Sequence, residues 1–221
     1  LTVPFENLDV HLGRPLLIDK ASLFEKIIEK RRGGMCYELN GIFYFLLQEL
    51  GFDVQLISAE VFKDDGTTGP AFDHMALLVT IDAQPYLTDV GFGDSILYPL
   101  SLSDHAEHVQ GNKKYQIQQH DNDYVLYAAN LAENATLKPS FKFSTQPYTL
   151  ADFGVMCHFH QTSAQSHFTQ KEICSLATQS GRISLSGEKL IKTTAHSREL
   201  LSFNSEQDKA AALKHYFGIV L

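Results

Sequence analysis

The sequence predicts an α+β protein, on three observations. Helical periodicity dominates the first fifty residues. Short apolar strands separated by turn residues follow from Val54 to about Asp123. Helix and strand patterns then mix to the end of the chain. Residues 19–30 read as a helix with Asp19 as N-cap, Leu23, Phe24, Ile27 and Ile28 on one face, and the Gly33-Gly34 pair as its stop. Residues 36–50 read as a second helix closed by Gly51. Its apolar residues run nearly all the way round, from Tyr37 and Leu39 to Leu47 and Leu50, so it is expected to be buried. Gly41 inside it costs about 1 kcal/mol relative to alanine and calls for a neighbouring backbone packed close by.

The strand region contains Val54–Ala59, Met75–Ile81 and Tyr86–Val90, the last two joined through Asp82 to Pro85. Tyr115–Ile117 and Tyr124–Tyr127 flank Asp121-Asn122-Asp123. Such spacing suggests an antiparallel sheet or barrel. Thr149 can cap a third helix with Phe153, Met156, Cys157 and His160 on one face. A hairpin-like stretch runs from Ile173 to Lys192. Asn204 or Ser205 starts a last helix that carries Leu213, Tyr216 and Phe217 and ends at Gly218.

The 221 residues carry a formal net charge of −8, which argues against nucleic acid or an anionic membrane as main partner. No apolar run is long enough to cross a bilayer, and Leu1 to Asn7 has neither the basic nor the apolar region of a signal peptide. The cysteines are Cys36, Cys157 and Cys174, a sparse odd set that fits a reducing cytoplasm better than a disulfide framework.

Three residues stand where chemistry is available. Cys36 follows Arg31-Arg32-Gly33-Gly34-Met35 and opens the second helix. A helix N-terminus offers unpaired N–H groups and partial positive charge, and both favour a thiolate. The glycine pair allows close backbone approach and could aim N–H groups at an oxyanion. His74 begins an apolar strand and shares a face with Ala76 and Leu78, where it can take the cysteine proton. Asp89 lies in an otherwise apolar strand, where a carboxylate needs a partner; an imidazolium would supply one. Read singly, each also fits a structural role: a buried thiol, a core histidine, a carboxylate bonded to backbone. A hairpin turning at Ile81-Asp82 would set His74 directly opposite Asp89. A turn over Asp82 to Pro85 would offset them, and a bulge could reconcile the two.

Other features point nowhere specific. His158, His160 and His167 lack companion ligands at metal spacing, so no metal is expected. Gly91-Phe92-Gly93 lacks the third glycine of a dinucleotide loop, and Asp64-Asp65 reads as a solvated turn.

The stretch Arg32-Gly33-Gly34-Met35-Cys36-Tyr37-Glu38-Leu39-Asn40 resembles the nucleophile motif of the arylamine N-acetyltransferases, and Pro4-Phe5-Glu6-Asn7-Leu8 resembles their N-terminal motif. His74 and Asp89-Val90-Gly91-Phe92-Gly93 match two more, in order. Weaker similarity runs through Gln161–Phe168 and Tyr216–Ile219. The resemblance implies a papain-like cysteine-proteinase-type core in three units: an N-terminal helical bundle over residues 1–50 carrying Cys36, an antiparallel β-barrel over 51–148 carrying His74 and Asp89, and a C-terminal α/β lid over 149–221. It implies a Cys36-His74-Asp89 catalytic triad, acetyl-CoA as acyl donor, and an arylamine, arylhydrazine or N-hydroxyarylamine acceptor, as in xenobiotic metabolism by a cytoplasmic monomer or homodimer. Phe5 and Phe92 would line the acceptor pocket and Glu6 would pair with Arg32. Thr68, Gly69 and Thr178 would contact coenzyme A. The chain departs from the family where Ala164 replaces the usual proline, and in lacking a helical segment ahead of Pro4. The same triad order also serves cysteine peptidases and transglutaminase-like enzymes, and a non-catalytic relative would keep the fold. Coenzyme A release in the presence of an aromatic amine separates these alternatives.

Overall fold

The computed structural model describes residues 2–93, 96–131, 136–194 and 197–221. Strand β1 (Phe5–Glu6) leads into a short helix α1 (Leu8–His11). Helix α2 (Lys20–Leu23) starts at Asp19, whose carboxylate accepts the Ala21 and Ser22 N–H groups, and widens into a π-helical stretch, Phe24–Glu29. Helix α3 spans Cys36–Glu49. Then come β2 (Asp53–Val61), β3 (His74–Ile81), β4 (Gln84–Thr88), β5 (Leu100–Ser101), β6 (His108–Gln110), β7 (Lys113–His120), β8 (Asp123–Asn130) and β9 (Lys138–Ser144). A 3-10 turn (Leu150–Phe153) enters α4 (Gly154–Thr162), and α5 (His167–Gln170) precedes β10 (Ile173–Thr178), β11 (Gly181–Ser186), β12 (Lys189–Thr194) and β13 (Arg198–Ser202). Helix α6 (Glu206–Ala212) runs into a π-helical turn, Leu213–Phe217, that ends at the left-handed Gly218.

Two antiparallel sheets result. One has the order β1-β10-β11-β12-β13, so the first strand of the chain completes a sheet made by its last quarter. The other has the order β5-β4-β3-β2-β9-β8-β7-β6. It is a curled half-barrel; β5 and β6 remain edges, so the full barrel suggested by the strand spacing does not close by backbone pairing. Gln110, at the end of β6, spans the opening instead. Its Oε1 accepts the Leu97 and Tyr98 N–H groups at 2.6 and 2.9 Å, and its Nε2 donates to the Tyr98 carbonyl at 3.0 Å.

Alternation along β2 and β3 divides the core. Ile57, Ala59, Ala76 and Leu78 face the inside of the curl with Leu87, Ile117, Phe141 and Phe143. Val54, Leu56, Met75, Leu77 and Val79 face outward onto Met35, Cys36 and Tyr37 of α3 and onto Phe153 and Cys157. A third cluster, with Leu8, Cys174, Leu185, Leu213 and Phe217, fastens α6 to the second sheet. The two faces of β2–β3 thus place the start of α3 against the strand that begins with His74.

Several local expectations change. The helix over 19–30 stops before the glycines, with Arg31 in the left-handed region at φ 51°. Phe24 and Ile28 do not join Leu23 and Ile27 in the core; they are about half exposed, because the π-helical widening turns them away from it. Helix α3 is buried continuously over Cys36–Gly41 and again at Leu47, while Leu46 and, just past its end, Leu50 are exposed. Gly41 admits the Leu23 side chain of α2, not a backbone. Strands β5, β6, β9 and β13 have no counterpart in the strand reading, being too short or, in β9, interrupted by Lys138, Pro139 and Lys142.

Replacing Gln110 by alanine removes the three hydrogen bonds that tie Leu97 and Tyr98 across the opening. Urea unfolding should register a loss of about 1–3 kcal/mol; an unchanged midpoint would show that the opening carries no stability.

Candidate active site

Cys36 is the first residue of α3 and is buried. The preceding loop is fixed by close approach. A Cβ on Gly33 would lie 2.0 Å from the Pro4 carbonyl oxygen, and one on Gly34 would lie 2.7 Å from the Glu38 carboxylate. The Gly34 N–H is committed to Pro4 O at 3.4 Å and the Met35 N–H to Glu38 Oε2 at 2.9 Å. The glycines therefore serve packing, and these two N–H groups are not the oxyanion donors that the sequence suggested.

Glu38 belongs to a buried ionic network around this loop. Lys26 Nζ donates to Glu38 Oε1 and lies against Asp9 Oδ2, both at 2.7 Å. Arg32 donates to Glu6 Oε1 at 2.8 Å and to Asp9 Oδ1 at 3.1 Å. Glu6 Oε2 in turn accepts the Leu8 N–H. Burial works against charge here, but Glu38, Glu6 and Asp9 hold the Lys26 ammonium above its usual range. For Asp9, burial is likewise outweighed by Lys26 and Arg32, which lower its pKa. The expected Glu6–Arg32 pair is present as one edge of this network.

His74 opens β3 on the inner face, as the alternation required. The β3–β4 hairpin turns at Asp82–Ala83, both with positive φ, and pairs Leu77 with Thr88 without a bulge. Extended by one step, this register puts Asp89 opposite Ala76 and diagonal to His74, within side-chain reach. His74 Nε2 lies 2.9 Å from Asp89 Oδ2, and the Cys36 thiol is a further hydrogen-bond partner of the ring. Asp89 Oδ1 accepts Asn40 Nδ2 and the Gly91 N–H, each at 2.8 Å. Asn40 sits one helical turn after Cys36. It also donates to Met75 O at 2.6 Å and accepts the Val90 N–H at 2.9 Å. Gly91 is obligatory at this crossing, since a Cβ there would lie 2.8 Å from Cys36 Cα.

Burial alone would lower the His74 pKa. The charge and hydrogen bond of Asp89, with the contact to Cys36, override it and raise the pKa from 6.5 to about 10. Burial likewise pushes Asp89 up, but His74, Asn40 and the Gly91 N–H hold it below its usual value. The pair is therefore charged at neutral pH, and an imidazolium beside a thiol favours the thiolate. Phe92 and Phe141 pack against the imidazole, with ring centroids 4.9 and 5.3 Å away.

A family model described as N-acetyltransferase matches residues 1–221. The arylamine N-acetyltransferase of Mycolicibacterium smegmatis is 33% identical over 226 residues, covering 100% of this chain and 81% of that protein. The chain belongs to the arylamine N-acetyltransferase family. Among solved structures, the family member from Bacillus cereus, described as having a Cys-His-Glu catalytic triad, superposes with a TM-score of 0.91 at 26% identity, covering 100% of this chain and 87% of that one. That from Mycobacterium marinum, in complex with CoA, gives 0.88 at 28% identity, covering 98% and 81%. In this member of the family the carboxylate on the histidine is an aspartate.

The structure brings Cys36, His74 and Asp89 together with Phe92 against the imidazole, and sets the remaining expected residues in other parts of the fold. Phe5 lines a cavity of about 1320 Å³, together with Ile42 and Phe43 of α3 and Val90 and Gly93 of the loop after β4. Phe92 packs on His74 and Phe141. Thr68 donates to Glu60 Oε2 at 3.0 Å, and Gly69 lies against the Asp73 carboxylate. Thr178 ends β10 in the other sheet, opposite Gly181. Asn40, Phe141, Lys26 and Asp9 were not singled out from the sequence. Asn40 was readable as a polar residue one turn after Cys36 on an apolar helix. Phe141 had no signal, because β9 itself was not recognised.

A raised His74 pKa has a definite sign. Its contribution to stability is fully present below about pH 6.5 and is lost as pH rises through about 10. NMR titration of the His74 ring should find the midpoint near 10; a midpoint near the free value of about 6.5 would contradict the pairing.

Proposed function

We propose that the chain transfers an acetyl group from acetyl-CoA, through a thioester on Cys36, to an arylamine, arylhydrazine or N-hydroxyarylamine. The observation that carries this reading is the buried Cys36–His74–Asp89 chain at the N-terminus of α3. With Nε2 on Asp89, the other ring nitrogen is left for Cys36, which gives each nitrogen one task.

The Cys36 thiolate attacks the thioester carbonyl carbon and forms a C–S bond. The bond from that carbon to the coenzyme A sulfur then breaks, and the coenzyme leaves as a thiol with the His74 proton. His74, now neutral, takes a proton from the incoming amine as its nitrogen attacks acetyl-Cys36. The amide departs and the thiolate–imidazolium pair returns. Asp89 keeps the ring oriented through both steps.

Phe5 is proposed as an aromatic wall for the acceptor, supported by its place in the cavity beside Gly93. Phe92 is proposed as the acceptor-side cover of His74. Thr68, Gly69 and Thr178 are proposed as coenzyme A contacts; for the first two, support comes from their loop, which packs on Asp73 next to His74. The wider reading is a papain-like core of three units, with residues 149–221 as a lid, working on xenobiotic amines in the cytoplasm as a monomer or homodimer. No described helix is long and apolar enough to cross a membrane. The family and the aromatic cavity favour amine acylation over peptide cleavage.

Mixing the protein with acetyl-CoA should add one acetyl mass to Cys36, and an aromatic amine should discharge it. Cys36→Ala should give no adduct. An adduct of equal stability on Cys36→Ala would place the acetyl group elsewhere and overturn the mechanism.

A further inference from the structure

The mechanism uses one buried histidine and leaves a second unexplained. His160, on α4, is 3% exposed. Its Nδ1 lies 3.0 Å from Ser166 Oγ and its Nε2 lies 3.1 Å from Asp73 Oδ1. Ser166 Oγ also accepts the Phe168 N–H as the cap of α5. A carboxylate can only accept, so His160 Nε2–H donates to Asp73, and Nδ1 pairs with the Ser166 hydroxyl.

Serine, histidine and aspartate in a row suggest a second nucleophile, but the geometry does not support one. Ser166 is 2% exposed and holds a helix end, so no substrate carbonyl reaches it. What the row does reach is the turn that carries His74. Asp73 immediately precedes it, and the residue before, Phe72, has φ 65°. A bulky residue in the left-handed region persists only where its surroundings over-determine it.

Those surroundings are on hand. The Phe72 N–H donates to Ser58 Oγ at 2.7 Å. The Tyr37 hydroxyl donates to the Phe72 carbonyl at 2.8 Å and to that of Asp73 at 3.2 Å. The Phe72 ring packs against Tyr148 and Phe153. His160 supplies the hold on the Asp73 side chain, whose other oxygen is pressed against Gly69. The His160 ring also stacks on Tyr37, the neighbour of Cys36, with centroids 6.2 Å apart. On its other side it meets Phe168, which in turn contacts Phe5. One imidazole thus touches the element of the nucleophile and the turn of the base, and reaches Phe5 of the cavity only through Phe168.

We propose that His160 is a positioning residue for His74: by holding the Asp73 carboxylate it locks the Phe72–Asp73 turn and keeps the imidazole in register with Cys36 and Asp89. The inference rests on the reading of His74 as the base that serves Cys36. It predicts that His160 affects the rate of Cys36 acetylation and leaves binding of the acetyl donor alone, because His160 faces the turn and not the thioester.

Single-turnover acetylation of Cys36, followed by intact mass over a range of acetyl-CoA concentrations, tests this. His160→Leu and Asp73→Ala should each slow the saturating rate about tenfold, the lower end of the effect of groups that orient a reacting side chain. In His160→Leu the half-saturating donor concentration should stay within about twofold of wild type; the Asp73 side chain also packs on Gly69, so the Asp73 variants are read on the rate alone. Because both substitutions cut one link, the double variant should be no slower than the slower single one. His160→Gln and Asp73→Asn, which each keep a partner for the bond, should recover most of the rate. Should leucine at 160 leave no folded protein, Asp73→Ala against Asp73→Asn carries the same contrast. Wild-type rates in folded His160→Leu or Asp73→Ala would overturn the inference, as would a double variant whose loss is the product of the two single losses. Absence of Cys36 acetylation in the wild-type protein would instead overturn the mechanism beneath it.

Discussion

A carboxylate almost cut off from water sets the terms for this site. Asp89 is 3% exposed, and a buried charge survives only with its oxygens matched. Among the described residues its partners come from three parts of the chain: His74 at the head of β3, Asn40 on α3 and the Gly91 N–H of its own loop. Meeting that one requirement draws a strand, a helix and a loop together at one point. Removing any partner would leave the charge exposed to a low-dielectric interior, so the constraint that organises the site also makes it intolerant of change.

A second system of buried charge holds the opposite side of Cys36. Glu38 binds the backbone at Met35, Lys26 joins Glu38 to Asp9, and Arg32 joins Asp9 to Glu6. Because Glu6 lies in β1 and β1 pairs with β10, the network reaches the C-terminal sheet. The first turn of α3 is thus held between two ionic assemblies, one for its lead-in loop and one for its inner face. Such a helix end cannot shift far without uncovering charge, which suits the proposed role of Cys36 as a nucleophile that meets a histidine from another element.

The sequence made some of this legible for physical reasons that can be named. Alternation along β3 placed His74 with Ala76 and Leu78, and the structure keeps them on one face. Asp19, Gly51, Ser205 and Gly218 marked helix ends through their own capping chemistry, which acts locally. Long-range consequences were less readable. The Asp82–Ala83 turn shifts the register so that His74 and Asp89 meet diagonally, and no local signal fixes a two-residue turn whose residues both take positive φ. Phe141, which packs on the imidazole, lies in a strand with Lys138, Pro139 and Lys142, whose periodicity is obscured. The glycines before Cys36 read as a helix stop, as room for close backbone approach and as anion donors; what they approach is Pro4 and Glu38, which only the folded chain brings near.

The central claim is that the enclosed Asp89 charge makes His74 a working partner for Cys36. The most direct measurement is the rate of Cys36 acetylation by acetyl-CoA in Asp89→Asn, an isostere that keeps the volume and removes the charge. The account predicts a folded protein whose acetylation is slower by about 10³–10⁴-fold, the scale seen when the carboxylate of a nucleophile–histidine–carboxylate triad is made neutral. A folded variant acetylated within about tenfold of the wild-type rate would contradict it.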